Sequence, residues 1–221
     1  MDALRALSVR FPFVEWALLY VPLPGGPRNP TQRWREEFFA TSTAGTAVHL
    51  CFKEAFEQLL QGQLSPEIFK ADRIQLNINA RRVEFTEKQV LDIYKRALDL
   101  GPDIILQHQS LTAPVVGRFL QSLGIVDRLR VHVLIDESRG KGVSPDVWGV
   151  PPEVTNPKTY IGFAGGINPE NTLLVLEKLS GVSGPYWIDM ETGVRTDNEF
   201  DLNKVQRVLE CSEPLVQTET S

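Results

Sequence analysis

Short apolar segments recur along the chain at a regular interval. Seven of them are rich in Val, Ile, Leu and aromatic residues, and their starts lie roughly 26 to 32 residues apart. Most are apolar on both faces near their middles, as strands of a parallel sheet buried on both sides are. We therefore predict β-strands over Val14–Val21, Thr46–Phe52, Arg73–Asn79, Asp103–Gln109, Arg130–Asp136, Tyr160–Gly165 and Tyr186–Met190.

Segments with helical periodicity separate these strands. The clearest is Thr86–Leu100, where Thr86 is the helix cap and Gln89 stands at the capping-box position. Gly101 and Pro102 end this helix. Alternation of strands and helices at this interval predicts βαβ units and a parallel sheet. The other predicted helices are Thr31–Ala40, Lys53–Gln61, Thr112–Leu123, a helix that starts at Asn168, and Asp201–Cys211.

Two α/β architectures fit this alternation: an open doubly wound sheet and a TIM (β/α)8 barrel. No Gly-x-Gly-x-x-Gly motif follows the first strand, which disfavours a dinucleotide-binding sheet. The chain opens with a predicted helix over Asp2–Arg10, whereas a barrel opens with a strand. We therefore expect a TIM-type barrel that lacks its first strand, either because the barrel is open or plugged or because the chain starts late. Residues 1–211 form one predicted domain, and 212–221 a disordered tail.

Composition narrows the classes of partner. The net charge is -5 and the pI about 5.3, which argues against a nucleic-acid-binding protein. No apolar run reaches the roughly 18 residues that a membrane span needs, so we expect no membrane partner. Two cysteines, Cys51 and Cys211, make neither a disulfide framework nor a metal-binding spacing. The sparse cysteines predict a reducing, cytoplasmic location. We also expect no cofactor.

Two glycine-containing loops near the C-terminus predict a phosphate site. The sixth strand ends at Gly165-Gly166, where backbone N–H groups can approach an anion, and a helix starts close behind. Thr192 and Gly193 follow the seventh strand and offer a hydroxyl group and another close approach. Barrel phosphate sites are commonly built by the loops after the last two strands. The alternative is that these glycines only make tight turns.

The same loops resemble a known family. Phe163-Ala-Gly-Gly-Ile-Asn-Pro-Glu-Asn171, followed by Trp187-Ile-Asp-Met-Glu-Thr-Gly-Val-Arg195, is similar to the C-terminal quarter of phosphoribosylanthranilate isomerase. That family shows a Gly-Gly-Leu-x-Pro-Glu-Asn turn and then Val-Asp-x-Ser-Ser-Gly-Val-Glu. Fainter similarity extends to Leu134-Ile-Asp136, Ile74-Gln75-Leu76 and the stretch from Leu19 to Pro30.

The resemblance implies an Amadori rearrangement, in which an aminoaldose phosphate opens its ring and loses a proton from carbon two. It makes Asp136 the general acid and Arg28 the residue that holds a substrate carboxylate. Gln75 and Asp189 would line the substrate pocket, and Gly165, Gly166, Thr192 and Gly193 would bind the phosphate. The implied ligand is a small phosphorylated sugar.

The departures from the family are as informative. The family's general base is a cysteine that ends strand one, which this chain lacks; Cys51 ends a different strand and is the substitute candidate. Glu191 replaces the first serine of the last loop, and its charge would repel a phosphate if it turned inward. The Gly140–Ser144 stretch replaces a Gly-Gly-Thr-Gly loop and is the predicted lid. These changes suggest a divergent relative with altered or lost activity.

Other classes remain open at this point. A metal-dependent sugar-phosphate epimerase would use His49 with Asp136 or Asp189, but such a site needs three or four convergent ligands. A Schiff-base aldolase needs a lysine on a strand, and none of the seven predicted strands holds one. A barrel that only binds a phosphorylated metabolite is the non-catalytic alternative. Exposed edges beside a missing strand would invite pairing, so we expect a homodimer or poor solubility.

Overall fold

Seven parallel strands form the central sheet of the protein. The computed structural model describes residues 1–22, 28–78, 85–136, 150, 154 and 159–216. All seven predicted strands are present, and each is one to three residues shorter than predicted. They are β1 (Glu15–Tyr20), β2 (Gly45–Leu50), β3 (Arg73–Leu76), β4 (Asp103–His108), β5 (Val131–Asp136), β6 (Ile161–Ala164) and β7 (Tyr186–Asp189).

Helices alternate with the strands as predicted, apart from the connection between β5 and β6, most of which lies outside the described residues. A two-stranded hairpin, β8 (Arg195–Thr196) and β9 (Glu199–Phe200), comes after β7, and 3₁₀ turns cover Pro66–Lys70, Thr192–Val194 and Glu213–Leu215. None of the helices in the described ranges has the length and apolar character needed to cross a bilayer. The helices are α1 (Asp2–Arg10), α2 (Gln32–Thr41), α3 (Lys53–Gln61), α4 (Glu87–Leu98), α5 (Ala113–Ser122), α6 (Ile125–Arg128), α7 (Thr172–Leu179) and α8 (Leu202–Ser212).

The strand order in the sheet equals the order in the chain, from β1 to β7. This excludes a doubly wound sheet, in which the strand order reverses at a switch point. Within the described residues, β1 pairs only with β2 and β7 only with β6, so the sheet has two free edges. The expectation of a (β/α) barrel with seven strands is confirmed.

The curl of the sheet follows from contacts across its inner face. Arg73 of β3 lies with its guanidinium carbon 4.4 Å from the ring centroid of Trp187 on β7. Four strand spacings of about 4.8 Å would separate these strands by roughly 19 Å in a flat sheet. The contact therefore requires the sheet to curl, and the inner faces of its strands enclose a common interior.

Two apolar layers hold this sheet. The main core lies between the outward faces of β2–β6 and the surrounding helices, with fully buried residues such as Leu50, Ile74 and Phe119. A second cluster packs α1 and α8 against the outward face of β1, where Trp16 donates from Nε1 to Oγ of Ser8 at 2.8 Å. The apolar residues of helix α1 are thus buried against the outward face of β1, the first edge strand.

Two element boundaries differ from the prediction. The helix expected from Asn168 starts at Thr172, because the side chain of Asn168 accepts hydrogen bonds from the N–H groups of Glu170 and Asn171 and forms a turn before the helix. At the other end, α8 continues to Ser212, and Arg10 donates from Nη2 to Oε2 of Glu213 at 3.0 Å. Ordered structure thus passes residue 211, and 217–221 lie outside the described residues.

Candidate active site at the carboxyl ends of the strands

A cleft of about 1670 Å³ opens between the edges of β1 and β7 and reaches the carboxyl ends of the strands. Its lining includes five residues that the sequence singled out: Arg28, Cys51, Gln75, Asp189 and Glu191. A cleft of this size exceeds the roughly 300–1,000 Å³ of an ordinary small-molecule pocket. The five lining residues come from four separate parts of the chain, which the tertiary structure brings together around one opening.

Asp136 and Asp189 occupy equivalent positions on either side of β6. Asp136 is in register with Ala164, and Ala164 is in register with Asp189. In-register residues of neighbouring strands share a face of the sheet, so both carboxylates project to the inner side at the carboxyl end. Asp136 is buried, and Nε2 of Gln107 donates to its Oδ2 at 2.8 Å.

The environment of Asp189 favours its neutral form. Burial, followed by the negative charges of Asp136, Glu191 and Glu15, raises the pKa of the Asp189 carboxyl to about 7, and Arg73 opposes this effect. Desolvation and like charge both disfavour ionisation of a carboxyl group. Asp189 therefore changes protonation state near neutral pH, which is a property that acid–base catalysts need.

Cys51 follows β2. Next to it are a polar side chain of β3, Gln75, and one that follows β3, Asn77. Nε2 of Gln75 donates to Oδ1 of Asn77 at 2.7 Å, and Asn77 in turn hydrogen-bonds Cys51. Burial is the largest effect on this thiol and raises the pKa of Cys51 to about 12. The thiol is therefore protonated at neutral pH, whereas the reactive species of a cysteine is the thiolate.

Arg28, the predicted carboxylate clamp, is engaged by two side chains of the segment after β7. Its Nη1 donates to Oε1 of Glu191 at 3.0 Å, and its Nε donates to Oδ1 of Asn198 at 2.7 Å. The same oxygen of Glu191 lies 3.7 Å from Nε of Arg195. Glu191 thus sits between two arginines, which offset the charge that the sequence led us to expect beside a phosphate.

The two glycine loops predicted to bind phosphate contact each other. Gly165 and Gly166 have φ angles of 126° and 62°, which are favourable for glycine. A Cβ atom at Gly193 would stand 1.9 Å from the carbonyl oxygen of Ile167, so only glycine allows this approach. Thr192 and Gly193 lie in the short 3₁₀ turn that follows β7. The four predicted phosphate residues are therefore on two loops in contact.

The histidines lie on the strands and do not form a metal site. Burial lowers the pKa of His49 to about 4, and it also lowers the pKa of His132, whose Nε2 lies 3.4 Å from Oδ2 of Asp103. Within the described ranges, no three His, Cys, Asp or Glu residues stand close enough to bind a metal ion. The predicted lid, Gly140–Ser144, lies outside the described residues.

Sequence reasoning missed several residues that shape this site. Gln107, which binds Asp136, is a polar residue within the apolar run of β4, and that contrast was the available signal. Asn77, which hydrogen-bonds Cys51, is a polar residue near the end of the predicted third strand. Arg195 and Asn198, which surround Glu191 and Arg28, lie in a polar loop whose sequence carries no such signal.

Known structures with this fold include several isomerases. A monomeric form of the dimeric phosphoribosylanthranilate isomerase from Thermotoga maritima is 14% identical, with 94% of this chain and 91% of that chain covered and a TM-score of 0.59. The enzyme from Thermus thermophilus is 18% identical, with 97% and 94% covered and a TM-score of 0.55.

A third such structure contains a ligand. It is a phosphoribosylanthranilate isomerase in complex with reduced 1-(o-carboxyphenylamino)-1-deoxyribulose 5-phosphate. Its identity is 13%, the coverage is 90% of this chain and 87% of that chain, and the TM-score is 0.55. At these identities, the three likenesses show a shared fold.

The family is shown by the sequence itself. No curated protein matches the chain. The model of the N-(5'-phosphoribosyl)anthranilate isomerase family, however, matches residues 40–211, which is more than half of the chain and includes β2–β7 and most of α8. The chain belongs to the N-(5'-phosphoribosyl)anthranilate isomerase family.

Proposed function

We propose that this protein binds a phosphorylated sugar and converts an aldose to a ketose by an Amadori-type rearrangement. Family membership supports the reaction class. The observation that carries the proposal is the pair of carboxylates, Asp136 and Asp189, which face the barrel interior in register on either side of Ala164. A rearrangement of this kind needs one group to give a proton and another to accept one.

Asp136 is the proposed general acid, as the family resemblance implies. In its protonated form it would give its proton to the ring oxygen of the aminoaldose, whose bond to carbon one breaks as the ring opens. The carboxyl is buried at the end of β5, and the hydrogen bond from Gln107 fixes its orientation. An acid that is held in this way is placed before the substrate arrives, which reduces the entropic cost of the step.

Two residues are candidates for the base that accepts the proton from carbon two. Cys51 is the candidate that the sequence suggests, but its thiol holds its proton at neutral pH because burial raises its pKa to about 12. Asp189 is the candidate that we favour. The charge of Asp136 helps to raise the pKa of Asp189 to about 7, so a proton on Asp136, which its role as acid requires, favours the ionised form of Asp189. A base whose pKa lies close to the working pH combines availability with driving force.

The remaining predicted residues would bind the substrate. Arg28 offers a guanidinium group at the mouth of the cleft, and the amide of Gln75 lies within its lining. Gly165, Gly166, Thr192 and Gly193 would bind the phosphate through backbone N–H groups and a hydroxyl. This use agrees with the position of phosphate sites after the last two strands of barrels.

A non-catalytic phosphometabolite-binding protein is the second candidate. It is favoured by one feature of the cleft: burial raises the pKa of the Cys51 thiol to about 12, which disfavours the reactive thiolate. If Asp189 does not act as a base, the cleft retains residues for binding and lacks a proton acceptor. Loss of chemistry with retention of binding is compatible with an unchanged fold.

The deciding experiment follows the fluorescence of phosphoribosylanthranilate as it is consumed by the intact protein. We expect turnover in the wild type and a loss of at least about 100-fold in kcat for Asp136→Asn and for Asp189→Asn. Cys51→Ser, which keeps the size of the side chain, should retain most of the activity. Turnover that survives both aspartate changes would contradict the proposed roles. Absence of turnover, with binding of the reduced substrate analogue, would favour the non-catalytic alternative.

A further inference from the structure

Glu191 holds the arginine that the proposed function assigns to a substrate carboxylate. It stands two residues after β7, whereas Arg28 follows β1, so their contact joins the loops of the two edge strands across the opening of the cleft. Oε1 of Glu191 is 3.0 Å from Nη1 of Arg28. Because Asn198 binds Nε of the same guanidinium at 2.7 Å, two of its donor groups are already engaged.

A ligand carboxylate would need the same donors. A guanidinium binds a carboxylate best through two parallel hydrogen bonds, for which its N–H groups must be available. Glu191 is itself a carboxylate, so it competes for Arg28 with any acidic ligand by the same chemistry. A ligand without a carboxylate does not compete for the Arg28 guanidinium, so it binds without displacing Glu191.

The contact is suited to displacement. The side chains of Arg28 and Glu191 are 35% and 56% exposed, and ion pairs as accessible as this one contribute little stability. The charge of Glu191 nevertheless reaches into the cleft, because it contributes to the raised pKa values of Asp189 and Cys51. Glu191 therefore lies at the mouth of the site, and its charge affects the pKa values of groups inside it.

We propose that Glu191 is a specificity-determining residue that occupies Arg28 in place of a ligand carboxylate and must leave before a carboxylated phosphosugar binds. The inference rests on the proposed function, since it takes Arg28 as the carboxylate-binding residue. Glu191 would therefore lower the affinity for carboxylated sugar phosphates by competing for Arg28, and would leave the affinity for otherwise identical ligands without the carboxyl group unchanged.

The test measures binding by calorimetry with two matched probes and the full chain. One probe is reduced 1-(o-carboxyphenylamino)-1-deoxyribulose 5-phosphate, the ligand of the related isomerase structure, and the other is the same molecule without its carboxyl group. Glu191→Gln and Glu191→Ser remove the competing charge; the serine variant also removes a side chain that reaches Arg28. Glu199→Gln is the control, because Glu199 is an exposed carboxylate on the adjacent hairpin whose charge also acts on Arg195.

We expect both Glu191 variants to bind the carboxylated probe about 2- to 5-fold more tightly than the wild type does, which is the upper part of the range of an exposed ion pair. Binding of the probe without the carboxyl should change by less than about twofold, and Glu199→Gln should change neither. Equal tightening for both probes would overturn the inference, because Glu191 would then act on the phosphate by general repulsion. Unchanged or weaker binding of the carboxylated probe would also overturn it.

Failure of the proposed function gives a different result. If neither probe binds to the wild type or to any variant, the phosphosugar site itself is wrong, and the inference falls with it. If both probes bind and only the Glu191 effect is missing, the proposed function stands and this inference alone is rejected. Thermal unfolding of each variant, monitored by circular dichroism, shows whether the variant is folded as the wild type is, so that the binding data can be compared.

Discussion

Arg73 on β3 binds both carboxylate oxygens of Glu15 on β1. Its Nε lies 2.7 Å from Oε2 and its Nη2 lies 2.6 Å from Oε1, so the pair is bidentate. The same guanidinium stacks on Trp187 of β7. A single residue inside the curled sheet thus contacts both edge strands and ties them to the middle of the sheet.

Replacing Arg73 by methionine should destabilise the protein by about 2 kcal/mol. The two side chains are 14% and 27% exposed, which places the pair between a surface ion pair and a fully buried one. Arg73→Lys should recover only part of the loss, since lysine cannot make the bidentate contact. Urea unfolding of both variants measures this, and a stability equal to that of the wild type in Arg73→Met would refute it.

A second prediction compares two ion pairs of equal length and unequal burial. Arg35 and Glu67 approach to 2.7 Å and are almost fully buried, whereas Arg118 and Glu87 approach to 2.7 Å and are half exposed. Arg35→Met leaves a buried carboxylate without its partner and should cost about 3–5 kcal/mol. Arg118→Met should cost no more than about 1 kcal/mol. Similar losses in urea unfolding for the two variants would show that burial does not govern these pairs.

Gly162 is required by the packing inside the barrel. A Cβ atom at this position would lie 2.3 Å from the ring of Trp187 and 2.7 Å from Cδ1 of Leu134. Gly162→Ala should therefore destabilise the protein by about 1–3 kcal/mol through overpacking. Gly181→Ala is the matched control, because a Cβ there meets nothing within 4 Å. Equal melting temperatures for the two variants would contradict the prediction.

Stability should depend on pH through Asp189. Its pKa is raised to about 7 in the folded protein, compared with about 3.9 in an unfolded chain. The folded state therefore retains a proton that the unfolded state has lost, so the contribution is complete below about pH 4 and disappears as pH rises through about 7. Relative to the wild type, Asp189→Asn should gain stability between pH 5 and 8, as measured by urea unfolding at about these two pH values. A difference that is independent of pH would exclude this role.

In the described part of the chain, β1 and β7 each have one unpaired edge, which bears on the state of association. Unpaired strand edges offer backbone donors and acceptors to another chain, so we expect a dimer or low solubility. Sedimentation velocity over a range of protein concentrations measures the mass in solution. A monomer at all concentrations would contradict the expectation and would mean that the packing of α1 and α8 around β1 protects the edges.

Recognition of the strands succeeded because most contain a continuous apolar run, such as Ile104–Leu106 within β4, whose burial on both faces follows from the parallel sheet. The helix predicted to have Asn168 as its cap begins three residues later, with Asn171 as its cap. Asparagine caps both turns and helices with the same side-chain oxygen, and the local sequence does not show which of the two forms.

Within the candidate site, the sequence identified Asp136, Asp189, Arg28, Gln75 and Cys51 by their positions near strand ends and by resemblance. Their relationships were not accessible to it. Gln107 and Asp136 are 29 residues apart, and Arg28 and Glu191 are 163 residues apart. Pairs at such separations depend on the curl and register of the sheet, which no local pattern encodes.

By itself, therefore, the amino-acid sequence determined the alternation of strands and helices, the class of fold, and the family that the C-terminal loops suggest, because apolar periodicity and turn residues act locally. The tertiary structure alone decided that Glu191 pairs with Arg28, and that the pKa values of the Cys51 thiol and the Asp189 carboxyl are raised, to about 12 and about 7. Those properties come from burial and from charges brought together across the barrel, and both exist only after the sheet has curled.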